Sequence, residues 1–339
     1  MANTDEKKIV LSPGITHIKD NAFENNEQLE TIVIPEGVTS IGDYAFSDCG
    51  LLKDIRLPKG LTHIGKGAFR GCCELKSIVI PEGVTEIEPE TFYYCESLVA
   101  VTIPDSVTSI GEDAFNFCHD LKSIIIPESV TSIGKAAFVC CYSLESVILQ
   151  GRLTCIEPAT FCSCSQLSYI TIPDSVKSIG KSAFKGCSEL KSILIPNSVK
   201  ELGKFAFRDC SNLKEVTLSE SLTELAYFVF AGCKALTKIT IPAGIKSIEP
   251  CAFLECSALT DITIPEGVEK ISNQAFGFCT SLKEVTLPDS VKYVGVSAFS
   301  GCVELESITI PKDAVVGEYA FSGCKKLKNI GLEGGEDER

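Results

Sequence analysis

Cysteine is the residue type in this chain with the greatest capacity for chemistry. The chain has 18 cysteines in 339 residues, and 13 of them occupy one position of a regular pattern. Cysteine thiolates act as nucleophiles, ligate zinc and pair in disulfides. The 13 in-register residues are Cys49, Cys72, Cys95, Cys118, Cys141, Cys164, Cys187, Cys210, Cys233, Cys256, Cys279, Cys302 and Cys324. The fold of the repeated pattern determines which of these roles the 13 cysteines can have.

The spacing of these cysteines favours a structural ladder over reactive chemistry. Residues at one position of stacked repeats point the same way, which is unfavourable for disulfides. Zinc needs a closed tetrahedral set of ligands, and neither the Cys162-x-Cys164 pair nor the Cys72-Cys73 doublet has a matching partner. A buried thiol also behaves as a small apolar group with a weak S–H donor. We therefore predict a buried structural ladder and no metal site.

Five further cysteines fall outside this register and are expected to be more exposed than the ladder. So many free thiols favour a reducing cytosol or an anaerobic habitat. These five residues are Cys73, Cys140, Cys155, Cys162 and Cys251.

Other catalytic groups are sparse. The three histidines are His17, His63 and His119, and although His119 follows Cys118, neighbours in sequence do not align as a nucleophile and its base. Glycine recurs without a dinucleotide-binding or phosphate-binding motif. The carboxylates are scattered over variable positions, so no acid–base pair can be assigned. The sequence predicts no catalytic residue and no cofactor, hence a protein that is not an enzyme.

The elements that would position all these residues come from a 23-residue repeat, and such repeats indicate a solenoid. Phenylalanine recurs at that interval from Phe23 to Phe299, and the final step to Phe321 is 22 residues. This gives about fourteen units with no linker between them. We predict one solenoid domain over residues 1–339, with a polar lead at 1–8 and a charged tail at 333–339.

One repeat shows how each unit is built. Residues 121–126 (L-x-x-I-x-I) alternate at period two, which predicts a short strand with one buried face. Pro127 ends that strand because proline has no N–H to donate. Residues 130–133 (V-T-x-I) form a second short extended segment, and residues 134–141 (G-x-x-A-F-x-x-C) suit a tight helical or 3₁₀ turn. A single unit cannot bury its apolar face alone, so the units must stack.

The full motif, L-x-x-I-x-I-P-x-x-V-T-x-I-G-x-x-A-F-x-x-C, resembles the BspA-like class of leucine-rich repeats, from Ile9 to Leu332. The resemblance implies an α/β repeat solenoid: a right-handed superhelix with a parallel concave β-sheet, and short extended segments and helical or 3₁₀ turns on the other side. In related repeats the ladder position often holds small polar side chains bonded to turn backbone. The resemblance also implies a microbial cell-surface or secreted protein that binds host proteins or other cells.

Charge and hydropathy exclude other partners. The net charge is −14 and no long basic run is present, which disfavours nucleic acid. No apolar stretch approaches the roughly 18–20 residues that cross a bilayer, so no membrane insertion is expected. The start of the sequence lacks the apolar core of a signal peptide. That favours either a cytoplasmic protein or one whose leader has been removed. We expect a monomer, or weak end-to-end or edge association.

The outward-facing strand positions are the first candidate surface for a protein partner. The residue between the two buried strand positions faces the concave side, and in the last five repeats with this motif it is threonine. In the middle repeats it is often apolar, and contiguous exposed apolar patches mark interaction sites. The alternative is that β-branched residues simply suit a strand. The candidates on this face are Val79, Thr102, Ile125, Ile148, Tyr169 and Leu194.

A second candidate surface lies two residues after the repeating phenylalanine. Tyr94, Phe117 and Cys140 occupy this position in consecutive repeats, and Tyr93 is adjacent. Aromatic residues are favoured anchors at interfaces, unless turns cover the column. The sequence thus predicts a protein-binding adhesion or recognition module. The alternatives are an intracellular assembly scaffold and a carbohydrate-binding module, the latter disfavoured because the strand face has no row of aromatic residues.

Overall fold

The chain forms two compact units, Met1–Ser175 and Val176–Arg339. A computed structural model describes residues 7–333. Most of the predicted polar lead and charged tail therefore lies outside the described residues. Seven of the phenylalanine-centred repeats fall in each unit. Within each unit the repeats form coils that stack through parallel strands, which is a parallel β-solenoid.

Each repeat contributes two short strands, numbered in chain order: an odd-numbered strand of two to five residues, called the longer strand, and an even-numbered strand of two residues. The strands of the first unit are β1 (Lys8–Val10), β2 (His17–Ile18), β3 (Thr31–Val33), β4 (Ser40–Ile41), β5 (Asp54–Arg56), β6 (His63–Ile64), β7 (Ser77–Val79), β8 (Glu86–Ile87), β9 (Ala100–Thr102), β10 (Ser109–Ile110), β11 (Ser123–Ile126), β12 (Ser132–Ile133), β13 (Ser146–Leu149), β14 (Cys155–Ile156) and β15 (Tyr169–Ile170).

The second unit repeats the same alternation. Its strands are β16 (Ser178–Ile179), β17 (Ser192–Leu194), β18 (Glu201–Leu202), β19 (Glu215–Thr217), β20 (Glu224–Leu225), β21 (Lys238–Thr240), β22 (Ser247–Ile248), β23 (Asp261–Thr263), β24 (Lys270–Ile271), β25 (Glu284–Thr286), β26 (Tyr293–Val294), β27 (Ser307–Pro311), β28 (Val315–Val316) and β29 (Asn329–Glu333).

The longer strands confirm the period-two pattern. In β11, Ile124 and Ile126 are buried while Ser123 and Ile125 are exposed. Neighbouring strands pair in parallel at a register shift of one repeat, so that Ile124 lies beside Val147. The odd-numbered strands form the sheets β1-β3-β5, β7-β9 and β11-β13-β15 in the first unit, and one seven-stranded sheet from β17 to β29 in the second. Equal repeat lengths therefore place equal positions side by side.

The segment around each phenylalanine consists of turns. Between residues 7 and 333 the structure contains no helix, so the expected helical or 3₁₀ turns are not found. In this segment, successive backbone N–H groups donate alternately to a carbonyl of their own coil and to a carbonyl of the next coil. The Ser47 N–H donates to the Tyr44 carbonyl within the coil, at 3.0 Å, whereas the Phe46 N–H donates to the Ala68 carbonyl of the next coil, at 2.8 Å. Half of the N–H groups that a helix would use internally join neighbouring coils instead.

Left-handed residues produce this alternation. In every repeat, the residues two before and two after the phenylalanine have positive φ; around Phe46 these are Tyr44 (53°) and Asp48 (57°). A left-handed residue cannot continue a right-handed helix. In the third repeat, glycine occupies both places, Gly67 and Gly71. The turn segment of each coil is therefore hydrogen-bonded to the neighbouring coils, much as strands are in a sheet.

Stacked phenylalanine rings fill the core. The rings of Phe115 and Phe138 lie 5.2 Å apart, centroid to centroid, with their planes within 5°. Those of Phe253 and Phe276 repeat this arrangement in the second unit, also at 5.2 Å. Offset-stacked rings at such distances add about 0.5–1.5 kcal/mol each beyond their burial. The twelve phenylalanines from Phe46 to Phe299 in the repeat register are fully buried.

The in-register cysteines complete the hydrogen bonding of these phenylalanines. The Phe46 carbonyl accepts the Cys49 N–H of its own coil at 3.2 Å and the Cys72 thiol of the next coil at 3.2 Å. A carbonyl oxygen has two lone pairs, and both are occupied here. The thiol is short enough to fit between coils and still supplies a donor. No disulfide joins any of the 18 cysteines, all of which lie within residues 7–333.

We predict that removing one ring of the stack weakens the fold strongly. Phe115→Ala should lower the free energy of unfolding by about 3–5 kcal/mol, because a fully buried ring leaves a cavity between its two neighbours. Urea denaturation measures the change. The control is Phe278→Ala, which removes a half-exposed ring outside the stack and should change stability much less. Equal losses in the two variants would contradict the proposed importance of the stack.

Alkaline pH should weaken the fold through the ladder thiols. Burial raises the pKa of Cys279 from 9.0 to about 12. An unfolded thiol ionises above about pH 9 while the native one stays neutral. The free energy of unfolding is therefore unaffected by this ionisation below pH 9. As the pH rises from 9 towards 12, it falls by about 1.4 kcal/mol for each buried thiol and each pH unit. Urea denaturation from pH 7 to 10 measures the slope. Cys279→Ala should show a shallower decline, and an unchanged slope would contradict this explanation.

Candidate functional site

The longer strands of the first unit carry an apolar face towards solvent. Val79 on β7 is 66% exposed, Ile125 on β11 is 54% exposed and Ile148 on β13 is 50% exposed. Ile125 and Ile148 are direct neighbours in the strand register. These side chains contribute little to the core, because the buried positions of the same strands face the other way. We call Val79, Thr102, Ile125, Ile148 and Tyr169 the strand face.

Tyr169 and Thr102 complete the strand face. Tyr169 on β15 is 62% exposed, and it lies beside Ser146 in the register with β13. Its hydroxyl accepts a hydrogen bond from the Thr171 hydroxyl at 3.0 Å, which holds the ring over its own strand. Thr102 is exposed and pairs with Val79 between β9 and β7. The five predicted residues of the first unit therefore share one side of its longer strands.

The equivalent face of the second unit is polar. Thr217, Thr240, Thr263, Thr286 and Thr309 occupy the position that holds Val79, Ile125 and Ile148 in the first unit. Those threonine strands pair in parallel at the same shift of one repeat, so the fold does not require an apolar residue there. Leu194 on β17 is the exception, with 61% of its surface exposed. It belongs to the second unit.

A shallow depression adjoins the strand face at Val79. Its volume is about 490 Å³, and it lies over β5 and β7. Charged and polar side chains line it beside Val79: Asp54, Arg56, Lys59 and Ser77. Interfaces commonly join an apolar centre to a polar rim. The strand face has such a rim at this end.

An aromatic cluster occupies the turn side of the first unit. The rings of Tyr94 and Phe117 stack at 4.4 Å, and Tyr93 lies 5.0 Å from Tyr94. Phe117 meets the edge of His119 at 5.8 Å, and His119 stacks on Tyr142 at 4.9 Å. The three predicted aromatic residues are thus joined by two others, and these five rings form the aromatic cluster.

The rings of the aromatic cluster cover one another. Tyr94 and Phe117 each hide one face of the other, and the Arg70 guanidinium lies 4.8 Å from the centre of the Tyr93 ring. Arg70 is held in turn by an ion pair with Glu90. A sugar ring would need an open aromatic face for stacking. This arrangement therefore favours a rigid apolar ridge over a carbohydrate platform.

Sequence reasoning missed His119 and Tyr142 as members of this cluster. Both residues lie four positions after the repeating phenylalanine, in neighbouring repeats. Because equal positions of adjacent coils lie side by side, this shared spacing could have predicted that His119 and Tyr142 are neighbours.

A smaller aromatic group lies on the second unit. Tyr227 and Phe228 meet edge to face at 4.4 Å, and Phe205 lies 5.5 Å from Phe228. The Arg208 guanidinium lies 5.2 Å from the centre of the Phe228 ring. These residues precede the repeating phenylalanine by two or three positions, a column that the sequence did not single out.

Four of the five off-register thiols are partly exposed as expected, namely those of Cys73, Cys140, Cys155 and Cys162. Cys251 is not: it is only 6% exposed. Its side chain points along the stack, and its thiol donates to the Gln274 side-chain oxygen of the next coil at 3.5 Å. The expectation failed because a residue outside the ladder can still lie between two coils.

Residues 7–333 hold no group of three or more His, Cys, Asp or Glu side chains arranged to bind a metal ion. Over the same stretch, no helix has the length and apolar character to cross a bilayer. The histidines do not converge: His17 lies on β2 and His63 on β6, both exposed, whereas His119 belongs to the aromatic cluster.

Comparison with known proteins points to one family. A family model described as BspA type leucine-rich repeat region, with six copies, matches residues 2–118, 85–213, 177–303 and 248–336. Together these matches span nearly the whole chain. A comparison with curated proteins found no match.

Solved structures of bacterial repeat proteins are similar to this chain. A leucine-rich repeat protein from Bacteroides ovatus is 29% identical, with a TM-score of 0.72 over 95% of this chain and 85% of the other. A leucine-rich cell surface protein from Faecalibacterium prausnitzii is 28% identical, with a TM-score of 0.52 over 98% and 89%. A leucine-rich repeat protein from Eubacterium ventriosum shares the fold at 24% identity, with a TM-score of 0.54 over 88% and 84%.

Proposed function

Because this chain belongs to the BspA-type leucine-rich repeat family, we propose that it is a non-catalytic scaffold whose first unit captures a protein partner on the strand face. The observation that carries the proposal is the contrast between the two units. Equivalent strands hold threonine in the second unit and exposed Val79, Ile125 and Ile148 in the first. Apolar side chains that the fold does not need, gathered on one exposed face, indicate a binding surface.

The chemistry of the strand face indicates a partner with an apolar centre and charged margins. Ile125 and Ile148 are adjacent in the register, and Tyr169 supplies a ring with a polar tip. Arg56, Lys59 and Asp54 lie at the Val79 end. Burying Ile125 and Ile148 would stabilise a complex by about 1 kcal/mol or more for each half-exposed side chain. A partner segment with apolar side chains flanked by charges of both signs fits this surface.

The aromatic cluster is a second contact region for the same function. Tyr94 and Tyr142 are the most exposed of its rings, and tyrosine is a favoured interface residue. The mutual coverage of the rings argues against the carbohydrate-binding alternative, since little open ring face is left for a sugar. We therefore assign the cluster a supporting role in protein binding.

Binding should depend on the apolar character of the strand face. Peptides selected from a phage-displayed library against the whole chain provide ligands, and calorimetry measures their Kd. The double variant Ile125→Asp, Ile148→Asp should weaken binding at least tenfold, because two carboxylates would be desolvated in the interface. Circular dichroism should show an unchanged fold.

The matched control is Thr240→Asp, Thr263→Asp, which places the same neighbouring charges at the equivalent positions of β21 and β23. It should leave the Kd unchanged. If the control weakens binding as much as the strand-face variant, or if neither does, the partner does not dock on the strand face.

We further propose that the protein acts at the cell surface or is secreted. The similar Faecalibacterium prausnitzii protein is described as a cell surface protein, and the chain aligns with most of its length. The alternative, an intracellular assembly scaffold in the cytoplasm, is favoured by the many free thiols.

Antibodies raised against the purified chain distinguish these locations. If the protein is on the cell surface, the antibodies should label intact cells of the source organism, and external protease should remove the signal. A cytoplasmic marker protein should resist the same protease treatment, which verifies that the cells are closed. Labelling that appears only after lysis would support the intracellular scaffold instead.

A further inference from the structure

A group of cations lies on the second unit of this acidic chain. Residues 177–208 contain seven basic and two acidic residues, whereas the whole chain has a net charge of −14. Six of the basic residues occupy the same three positions of two consecutive repeats, the eighth and the ninth. We call them the basic patch: Lys177, Lys181 and Lys185 on the eighth coil, and Lys200, Lys204 and Arg208 on the ninth.

Backbone hydrogen bonds hold the two sets of cations side by side. The Lys200 N–H donates to the Lys177 carbonyl at 2.9 Å, and the Gly186 N–H donates to the Arg208 carbonyl at 2.8 Å. The four lysines at the first two positions are exposed, whereas Lys185 and Arg208 are partly exposed. Like charges on neighbouring strands repel, so the stacking of the coils gains no stability from this arrangement.

The first position of the patch holds threonine in all seven repeats of the first unit. There the threonine supports the stack: the Thr62 hydroxyl donates to the Thr39 carbonyl of the preceding coil at 3.1 Å. Lys200 keeps the backbone bond to its preceding coil, but lysine has no hydroxyl to add the second one. Since the fold does not require lysine here, Lys177 and Lys200 indicate another use.

The other two positions of the patch bind a carboxylate elsewhere in the chain. In the third repeat they are Lys66 and Arg70, and both form ion pairs with Glu90 of the next coil. Beside the patch, Phe205 and Phe228 hold the positions equivalent to Glu90. The eighth and ninth coils therefore repeat the cations that gather a carboxylate in the third repeat, but they lack its carboxylate.

Two acidic side chains lie close to the patch. Glu201 follows Lys200 on β18 and is exposed, and the Arg208 Nε lies 3.2 Å from the Asp209 carboxylate. No ion pair between residues 7 and 333 involves a lysine of the patch. The five lysines are therefore open to an anion from another molecule.

A depression beside Lys204 indicates which kind of anion fits. Its volume is about 660 Å³, and Glu224 and Glu249 of the following coils line it together with Lys204. A long polymer of uniform negative charge, such as a nucleic acid or a sulfated polysaccharide, would be repelled by these carboxylates. A short acidic stretch of polypeptide can end before them, and its carboxylates match the group that Lys66 and Arg70 bind.

We propose that the basic patch binds an acidic segment of a polypeptide, one with several Asp or Glu residues in succession. Lysines act as mobile point charges, so the patch recognises the density of negative charge on the segment. The contact is electrostatic and weakens as salt screens exposed charges. The patch belongs to the second unit and the strand face to the first, so this proposal does not depend on binding at the strand face.

The test uses a fluorescein-labelled peptide of ten glutamates, and fluorescence anisotropy measures its Kd for the whole chain at low salt. High salt should abolish the binding. The double variant Lys177→Thr, Lys200→Thr should raise the Kd about three- to tenfold, because two exposed ion pairs are lost. Threonine is the residue of the first unit at this position, so the variant should fold as the wild type does, which circular dichroism checks.

The matched control is Lys246→Thr, Lys292→Thr, the same substitution at the same position of the eleventh and thirteenth coils. It should leave the Kd nearly unchanged. Glu201→Gln should lower the Kd, because it removes a carboxylate beside Lys200. Damage to the fold cannot produce such a gain.

Heparin provides a second arm, which distinguishes a polysaccharide site from a polypeptide site. Binding of heparin at the patch without binding of the glutamate peptide would assign the patch to a sulfated polysaccharide and overturn the proposal. The proposal would equally be overturned if the peptide did not bind at low salt, or if both double variants changed its Kd to the same extent.

Discussion

Every coil must offer its neighbours the same backbone groups at the same places, because backbone hydrogen bonds run from each repeat to the next. Strand residues satisfy this constraint by parallel pairing one repeat apart, as Ile124 does with Val147. The turn residues satisfy it by sending alternate N–H groups to the following coil. An insertion in one repeat would shift that register and leave buried backbone groups unpaired, at a cost of several kcal/mol. The nearly invariant repeat length follows from this.

The ladder cysteines also provide a hydrogen bond that repeats from one coil to the next. A phenylalanine carbonyl that is fully enclosed needs a partner for each lone pair, and one of these comes from the next coil as a thiol. Burial raises the pKa of ladder thiols such as Cys95 and Cys279, which keeps them neutral and unreactive at ordinary pH. The abundance of cysteine is therefore explained by packing and hydrogen bonding.

Function can reside at positions where the inter-coil hydrogen bonds do not restrict the type of side chain. Exposed strand positions accept threonine in the second unit and isoleucine or valine in the first without any change in strand pairing. Left-handed turn positions tolerate bulky residues such as Tyr94 and Phe117, although these conformations favour glycine. The exposed strand residues Val79, Ile125 and Ile148 lie on the first unit, which is why we assign partner binding to it.

The sequence alone determined the repeat, the strands, the buried phenylalanine row and the position of the cysteine ladder, because each follows from a fixed period and a binary pattern. It also identified the strand face, since alternation decides which side of a strand a residue occupies. Only the tertiary structure decided the turns: two left-handed residues per repeat replaced the expected helical turn, and an isolated repeat gives no reason for them. The addition of His119 and Tyr142 to the aromatic cluster and the burial of Cys251 likewise depend on contacts between coils. Such contacts join residues about 22–23 positions apart, and a local sequence pattern does not contain them.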